Sequence, residues 1–207
     1  MKTTLFSVVA MLIIITAANA QSAFGIQGGG AFSNIKISSE DADMSFSSNT
    51  GLTLGLAGKF AISKSFSFRP ELNFVQKGTK MNFFEDEASM HLNYLELPLN
   101  FVYYTGDKAT GLFIGAGPSL AFGLSGKIEA DEEEEEIKFG GGDDDDFKAL
   151  DFGGNAIVGY ELKSGLFFSA NYTFGFSNMI NQTEGDDSKM HNNSFGIKLG
   201  FMFGGKH

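Results

Sequence analysis

The chain has 207 residues and a formal net charge of −10, from 15 basic and 25 acidic side chains. This length suits a single domain. The acidic balance excludes a basic nucleic-acid-binding protein, since such proteins need clustered cations. Because the sequence contains no cysteine, disulfides, thiolate metal sites, cysteine nucleophiles and a lipidated N-terminal cysteine are also excluded. The 23 phenylalanines and 27 glycines favour strands over helices, since glycine is poor inside helices and phenylalanine suits pleated sheets.

The first twenty residues have the parts of a secretory signal peptide. Lys2 supplies a positive charge, the stretch 5–18 is apolar, and Ala18-Asn19-Ala20 fits the small-x-small cleavage rule. The sequence therefore predicts removal of residues 1–20 and a mature domain over 21–207, with an uncleaved N-terminal anchor as the alternative. After Gln21 no apolar run of about 18 residues occurs, so no membrane-spanning helix is expected.

Eight segments of the mature chain alternate between bulky apolar residues and small or polar residues, with the period of two that marks a β-strand. The first, around 24–37, is rich in glycine. The bulky faces of the other seven begin with Leu52, Phe66, Leu95, Leu112, Phe152, Leu166 and Phe195. Their opposite faces carry Thr53, Ala57, Lys59, Arg69, Glu71, Asn73, Lys77, Tyr94, Glu96, Asn100, Ser119, Asp151, Asn155, Glu161, Ser169, Thr173, Ser194 and Lys198.

The size of the bulky faces decides which way they point. The interior of an eight-stranded barrel cannot hold some 30–40 large apolar side chains, and exposing them to water would create far larger patches than soluble monomers show. Facing lipid, these apolar side chains meet an apolar environment, and the polar faces then line a narrow lumen. The sequence thus predicts an all-β fold, an eight-stranded antiparallel up-and-down transmembrane β-barrel in meander order. A soluble two-sheet sandwich is the alternative.

The lengths of the predicted connections support the barrel independently. Long connections are expected at 38–49, 79–90, 126–149 and 179–192, and short ones at 63–64, 105–111 and 163–165. Outer-membrane barrels show this alternation, with long loops outside the cell and tight turns in the periplasm. We therefore expect the chain in the outer membrane of a Gram-negative bacterium, with both termini periplasmic.

Several motifs also resemble a known family. Residues 71–78 (ELNFVQKG) and 94–99 (YLELPL) are similar to hallmarks of the PorT-like outer-membrane β-barrel family common in Bacteroidetes. So are 115–118 (GAGP), 172–178 (YTFGFSN) and the closing strand 195–203. The resemblance covers essentially the whole mature chain and implies an eight-stranded barrel of the small OmpA- and OmpX-like kind. It implies little about activity.

Seven charged residues fall on the predicted lumen face. They are Lys59, Arg69, Glu71, Lys77, Glu96, Glu161 and Lys198. Buried charges need partners, so we expect a structural network of ion pairs that plugs the barrel. An ion path is the alternative, although eight strands leave no continuous aqueous channel once side chains are placed.

One predicted loop is strongly acidic. Residues 129–146 contain 11 carboxylates and a single lysine, whereas the rest of the mature chain is nearly neutral. Such blocks are usually solvated and mobile. The alternatives are contact with cationic partners, or with lipopolysaccharide through bridging divalent ions, and a weak divalent-cation site. Candidate ligands for the cation are Asp131, Glu132, Asp143, Asp144, Asp145 and Asp146, although their spacing is not that of an EF-hand loop.

Catalysis at the rim is a further hypothesis, because some small barrels modify lipids with His and Ser residues. His91 beside Ser89 and His191 beside Ser188 lie near predicted extracellular ends, but no acid–base motif is completed. We therefore expect no enzyme and no cofactor. The sequence favours a monomeric barrel with a structural or surface-interaction role, and a narrow pore or small-ligand barrel is the alternative. Its expected partners are outer-membrane lipid and lipopolysaccharide, the barrel-assembly machinery and an unidentified surface ligand.

Overall fold

The computed structural model describes residues 22–38, 43–45, 47–83, 86–106, 109–130, 133–142, 145–180 and 189–204. The predicted signal peptide, residues 1–20, lies outside this part of the chain. Nearly all the described residues belong to β-strands, and none of them forms a helix with the length and apolarity needed to cross a membrane.

Eight long strands form one antiparallel sheet, in which each strand pairs with the next along the chain. They are β1 Ser22–Ser38, β2 Ser47–Ala61, β3 Phe66–Phe83, β4 Asp86–Tyr104, β5 Gly111–Ala130, β6 Leu150–Glu161, β7 Leu166–Gly175 and β8 Lys189–Gly204. β1 also pairs with β8, from Ala23 opposite Gly204 to Ser38 opposite Lys189, and this pairing closes the sheet into a barrel. The predicted eight-stranded antiparallel barrel is confirmed.

Side chains alternate between the outer wall of the barrel and its lumen. On β2, Leu52 and Leu54 are 63% and 62% exposed, whereas Thr53 and Ala57 are 4% and 2% exposed. The other strands follow the same rule, so the bulky faces point outward and the polar faces point inward, as predicted. A soluble sandwich would bury these leucines and phenylalanines between its sheets, and the barrel does the opposite.

The two ends of the barrel differ in their connections. Short turns at 62–65, 105–110 and 162–165 lie at one end, here called the short-turn end. The opposite end, here called the long-loop end, receives the other four connections of the eight long strands. Ser22 pairs with Phe60 and Ala23 with Gly204, so both ends of the described chain lie at the short-turn end.

The strands at the long-loop end continue further than the side-chain pattern predicts. β3 and β4 pair up to Phe83 opposite Asp86, where a connection over 79–90 was expected. β5 continues to Ala130, and a short strand Glu133–Ile137 pairs with Gly126–Ala130. Antiparallel pairing satisfies backbone hydrogen bonds whatever the side chains are. Apolar periodicity therefore detects only the part of a strand that faces lipid.

Large aromatic side chains enter the lumen near the short-turn end, where only small and polar residues were expected. Tyr104, Phe113 and Phe167 are completely buried there. Gly159 lies opposite Phe113 and Gly200 opposite Phe167, and a Cβ atom on either glycine would meet the facing ring at 2.4 or 2.3 Å. The glycines therefore provide the space that the rings occupy.

Candidate functional site

The seven charged residues predicted on the lumen face all point into the barrel, and each is 5% exposed or less. Five of them form a connected cluster, here called the basal network, which consists of Lys59, Arg69, Glu71, Glu161 and Lys198. The other two, Lys77 and Glu96, form a separate ion pair closer to the long-loop end. β2, β3, β6 and β8 contribute to the basal network, so the cluster joins strands on different sides of the lumen.

Glu71 is the most heavily bonded carboxylate of the basal network. Its Oε2 lies 2.5 Å from Nζ of Lys198 and accepts from Gln27 at 2.8 Å and from Asn73 at 3.2 Å. Its Oε1 accepts from Nε of Arg69 at 3.2 Å. Both carboxylate oxygens are therefore occupied by donors from β1, β3 and β8, as burial of a charge requires.

Glu161 holds the other half of the basal network. It pairs with Lys59, lies 3.6 Å from Nη1 of Arg69 and accepts from the Tyr104 hydroxyl at 3.4 Å. Lys59 also donates to the carbonyl oxygen of Ala109 at 3.1 Å. Because Ala109 belongs to the turn at 105–110, the network ties this turn to the end of the lumen.

The Arg69 guanidinium lies between two aromatic rings. Its Cζ is 4.9 Å from the ring centroid of Phe113 and 4.3 Å from that of Phe167, both within cation–π distance. Nη1 also lies 3.3 Å from the Tyr104 hydroxyl. The side chain is fully buried. Rings, ion pairs and a phenol surround it, while its Nη2 has no hydrogen-bond partner among the described residues.

The upper part of the lumen contains a smaller polar group. Lys77 pairs with Glu96 and lies 5.2 Å from the ring centroid of Tyr94. Nearby, Asp151 is 6% exposed and accepts from the Ser177 hydroxyl at 2.5 Å. With Asp151 included, the described lumen holds four buried cations and four buried carboxylates. The charges balance, with one excess cation in the basal network and one excess carboxylate above it.

Sequence reasoning missed the neutral members of the site. Asn155 donates to Asn100 at 2.9 Å and accepts from Thr173 at 3.1 Å, so these hydrogen bonds link lumen-facing side chains of β4, β6 and β7. Gln27 and Tyr104 complete the partners of Glu71 and Glu161. The sequence signal that could have identified them is the recurrence of amide and hydroxyl side chains at every second position on the polar faces of the strands.

The acidic segment is only in part the solvated loop that its composition predicts. Glu134, Glu135 and Glu136 are exposed, but Ile137 and Phe147 are buried in a cluster with Met90, Leu92, Tyr94, Ala121 and Met179. The Phe139 ring packs edge-on against Tyr94, with centroids 5.5 Å apart. Ile137 and Phe139 between the acidic blocks, and Phe147 directly after the second block, thus anchor the segment in the mouth of the barrel.

The divalent-cation hypothesis gains no geometric support. Asp131, Glu132, Asp143 and Asp144 lie outside the described residues. Asp145 accepts from the backbone N–H of Gly142 at 2.8 Å, and Asp146 accepts from that of Lys138 at 2.9 Å. Within the described ranges no three His, Cys, Asp or Glu side chains come together as a metal site would require. Binding of a divalent cation by this segment stays a prediction.

The two rim histidines contact groups other than a serine hydroxyl. His91 lies 3.4 Å from the Asn49 amide and 3.7 Å from Glu129. His191 lies 3.0 Å from the backbone carbonyl oxygen of Ser177, and Ser188 falls outside the described residues. Beside His91, the Lys127 ammonium donates to Glu129, and this hydrogen bond holds the pKa of the Glu129 carboxyl below its usual range.

A closed eight-stranded barrel with an apolar outer wall and a charged, polar lumen defines a transmembrane β-barrel. Residues 18–181 match the family described as "Outer membrane protein beta-barrel domain", and the chain belongs to this family. It is therefore an outer-membrane β-barrel protein.

Solved structures of two small barrels are similar to this chain. Ail, the attachment invasion locus protein of Yersinia pestis, has a TM-score of 0.51 and 11% identity over 88% of this chain and 99% of its own. Neisserial surface protein A has the same score and identity over 87% of this chain and 97% of its own. At this identity the likeness shows the fold. No curated protein gives a significant sequence match.

Proposed function

We propose that this protein is a closed outer-membrane barrel that acts as a scaffold, with a structural or surface-interaction role exerted by its long-loop end. The observation that carries the proposal is the buried basal network. Its ion pairs cross the lumen between β2, β3, β6 and β8, and the rings of Phe113 and Phe167 fill the space around Arg69. An eight-stranded barrel has room for side chains but not for a water column beside them.

Planar bilayer recording tests whether the lumen is closed. The purified barrel should give no current steps, and Phe113→Ala/Phe167→Ala should create them, since it removes the buried rings without leaving a charge unpaired. Leu112→Ala/Phe168→Ala is the matched control, because these neighbours lie on the outer wall and are 50% and 57% exposed. Steps in the unmodified protein would instead support the narrow pore.

We further propose that the long-loop end faces the cell exterior and that both termini are periplasmic. The support is the length of three of the four connections at the long-loop end, 39–46, 131–149 and 176–188, which exceed the turns at the other end. Long loops outside the cell and tight periplasmic turns are typical of outer-membrane barrels. The chain contains no cysteine, so maleimide labelling of a single introduced cysteine reports the accessibility of that position alone. Gly141→Cys should react with a membrane-impermeant maleimide on intact cells, and Ser164→Cys only after permeabilisation. The reverse result would overturn the orientation.

The remaining proposals concern the partners, the oligomeric state and the subfamily of this barrel. We propose insertion by the barrel-assembly machinery, a monomeric state, contact with outer-membrane lipid and lipopolysaccharide, and membership of the PorT-like subgroup. The support is the apolar outer wall, the closed sheet without a free barrel edge, and the motifs at 71–78 and 94–99. Purification in a mild detergent, followed by light scattering with the mass of bound detergent subtracted, tests the monomer directly.

A further inference from the structure

A cavity of about 990 Å³ opens at the long-loop end, between the barrel and the acidic segment. Strands β2 to β5 line one side of it, and residues 134–139 with Asp145 line the other. The buried side chains of Leu92 and Ile137 and the half-buried ring of Phe139 give it an apolar portion. A cavity of this size and mixed lining is of the kind that binds small molecules or peptide side chains.

The cations in the lining are largely engaged already. Lys77 is buried and paired with Glu96, which is not part of the lining. Lys127 pairs with Glu129 and lies 3.5 Å from Glu134. Of the lining lysines in the described chain, Lys138 alone makes no ion pair.

The carboxylates in the lining are not matched in the same way. Glu135 and Glu136 are exposed, and neither makes an ion pair with any residue that the structure describes. Glu134 shares Lys127 with Glu129. Alternate residues of the strand Glu133–Ile137 project to opposite faces, so Glu135 shares the face of Ile137, whereas Glu136 lies opposite Lys127. The charge that remains available beside the apolar surface of Ile137 and Phe139 is therefore the Glu135 carboxylate.

The anchoring of the acidic segment holds these groups in place. Phe139 packs against Tyr94, and a Cβ atom on Gly123 would lie 2.3 Å from the Phe139 ring. The segment is also hydrogen-bonded, through Glu133–Ile137, to Gly126–Ala130 of β5. A site held in this way loses little conformational entropy when it binds a ligand.

We propose that this cavity binds organic cations in which a primary amine or guanidinium is attached to an apolar or aromatic body. The ammonium or guanidinium would lie against Glu135, and the apolar body against Ile137 and Phe139. The inference deepens the proposed surface-interaction role, since it names the class of partner that the long-loop end recognises.

Fluorescence titration with dansylcadaverine, an aromatic sulfonamide with a primary amine, tests the site. The full-length mature barrel is used in zwitterionic nanodiscs, and the signal from empty nanodiscs is subtracted. We expect saturable binding that weakens as salt is added. Glu135→Gln should weaken it about fivefold. The N-acetylated probe lacks the positive charge, so it should bind the unmodified protein no better than dansylcadaverine binds the glutamine variant.

A matched variant separates the site from the net charge of the protein. Glu136→Gln changes the net charge by the same amount as Glu135→Gln, but it lies on the opposite face of the strand and should bind the probe normally. Equal binding of the acetylated probe, or no effect of Glu135→Gln, would overturn the cavity assignment. Whole-cell maleimide labelling tests the orientation separately, so failure of the site and failure of the proposed function are distinguishable.

Discussion

The basal network and the long-loop end use the same residue types in opposite environments. Lys59, Arg69 and Lys198 are buried with Glu71 and Glu161, and every carboxylate among them has several donors. At the long-loop end, Lys127 and its glutamates face solvent, and Glu135 and Glu136 lack an ion-pair partner among the described residues. Burial makes a lysine–glutamate pair part of the fold, whereas exposure leaves it weak, screened and available to a ligand.

The largest expected effect is in the basal network. Glu71→Ala removes the acceptor shared by Arg69, Lys198 and Gln27 and leaves two cations without it. Breaking a buried pair in this way costs about 3–5 kcal/mol. Urea titration in lipid vesicles, followed by the heat-dependent shift in gel mobility, measures the loss. The exposed Glu136→Ala is the control, and a similar small effect of both variants would refute the contrast.

A comparison of two buried phenylalanines should separate the regions further. Phe113→Ala leaves a hole beside Arg69, and we expect a loss of about 3–5 kcal/mol in the free energy of unfolding. Phe147 is also buried, but in the cluster at the long-loop end. We expect the acidic segment to open there locally while the barrel stays closed.

Phe147→Ala should therefore leave barrel unfolding nearly unchanged and accelerate amide hydrogen exchange at positions 139 and 147. Exchange measured by mass spectrometry on both variants tests this difference. If Phe147→Ala destabilises the whole barrel as much as Phe113→Ala, the mouth and the basal region form one cooperative unit.

A smaller net effect is expected when both partners of a buried pair are replaced. Lys77→Met or Glu96→Leu alone leaves a buried charge without its partner, at a cost of about 3–5 kcal/mol. The double variant Lys77→Met/Glu96→Leu should cost about 1 kcal/mol or less, because both charges and their desolvation are removed together. A double-mutant cycle from urea titrations measures the coupling, and purely additive losses would contradict it.

The sequence could predict those parts of the molecule in which lipid imposes a pattern on side chains. Period-two alternation identified all eight strands and the faces of seven of them, and the seven charges it placed in the lumen are found there. Above the lipid no such pattern exists. The pairing of β3 with β4 up to Phe83 and the strand Glu133–Ile137 depend on backbone hydrogen bonds, which leave little trace in composition.

The details of the lumen were beyond sequence reasoning for a different reason. Phe113 and Phe167 fit inside because Gly159 and Gly200 lie opposite them, and this depends on cross-strand register. The partner of each charge also depends on register, since Lys198 and Glu71 are far apart in sequence and meet across the barrel. A single sequence shows which residues share a face but not which ones touch.

The smallest expected effect concerns the exposed ion pair between Lys127 and Glu129. The hydrogen bond from Lys127 holds the Glu129 pKa below its ordinary value, so the pair stabilises the hairpin above the carboxyl's unfolded pKa. That contribution is lost as the pH falls through the lower, folded pKa, since protonation removes the negative charge. Lys127→Met should raise the Glu129 pKa towards its ordinary value, and about 0.5 M salt should do the same in the unmodified chain.

Carbon-detected NMR titration of Glu129 in detergent micelles measures these shifts, with and without salt. Barrel unfolding should not respond, because an exposed pair is screened and its partners are rehydrated when it breaks. An unchanged Glu129 pKa in Lys127→Met would show that this pair is not formed in solution. If salt changes the stability of the barrel, water and ions reach the charges in the lumen, because screening needs ions close to the pair. The proposed closed lumen would then be wrong.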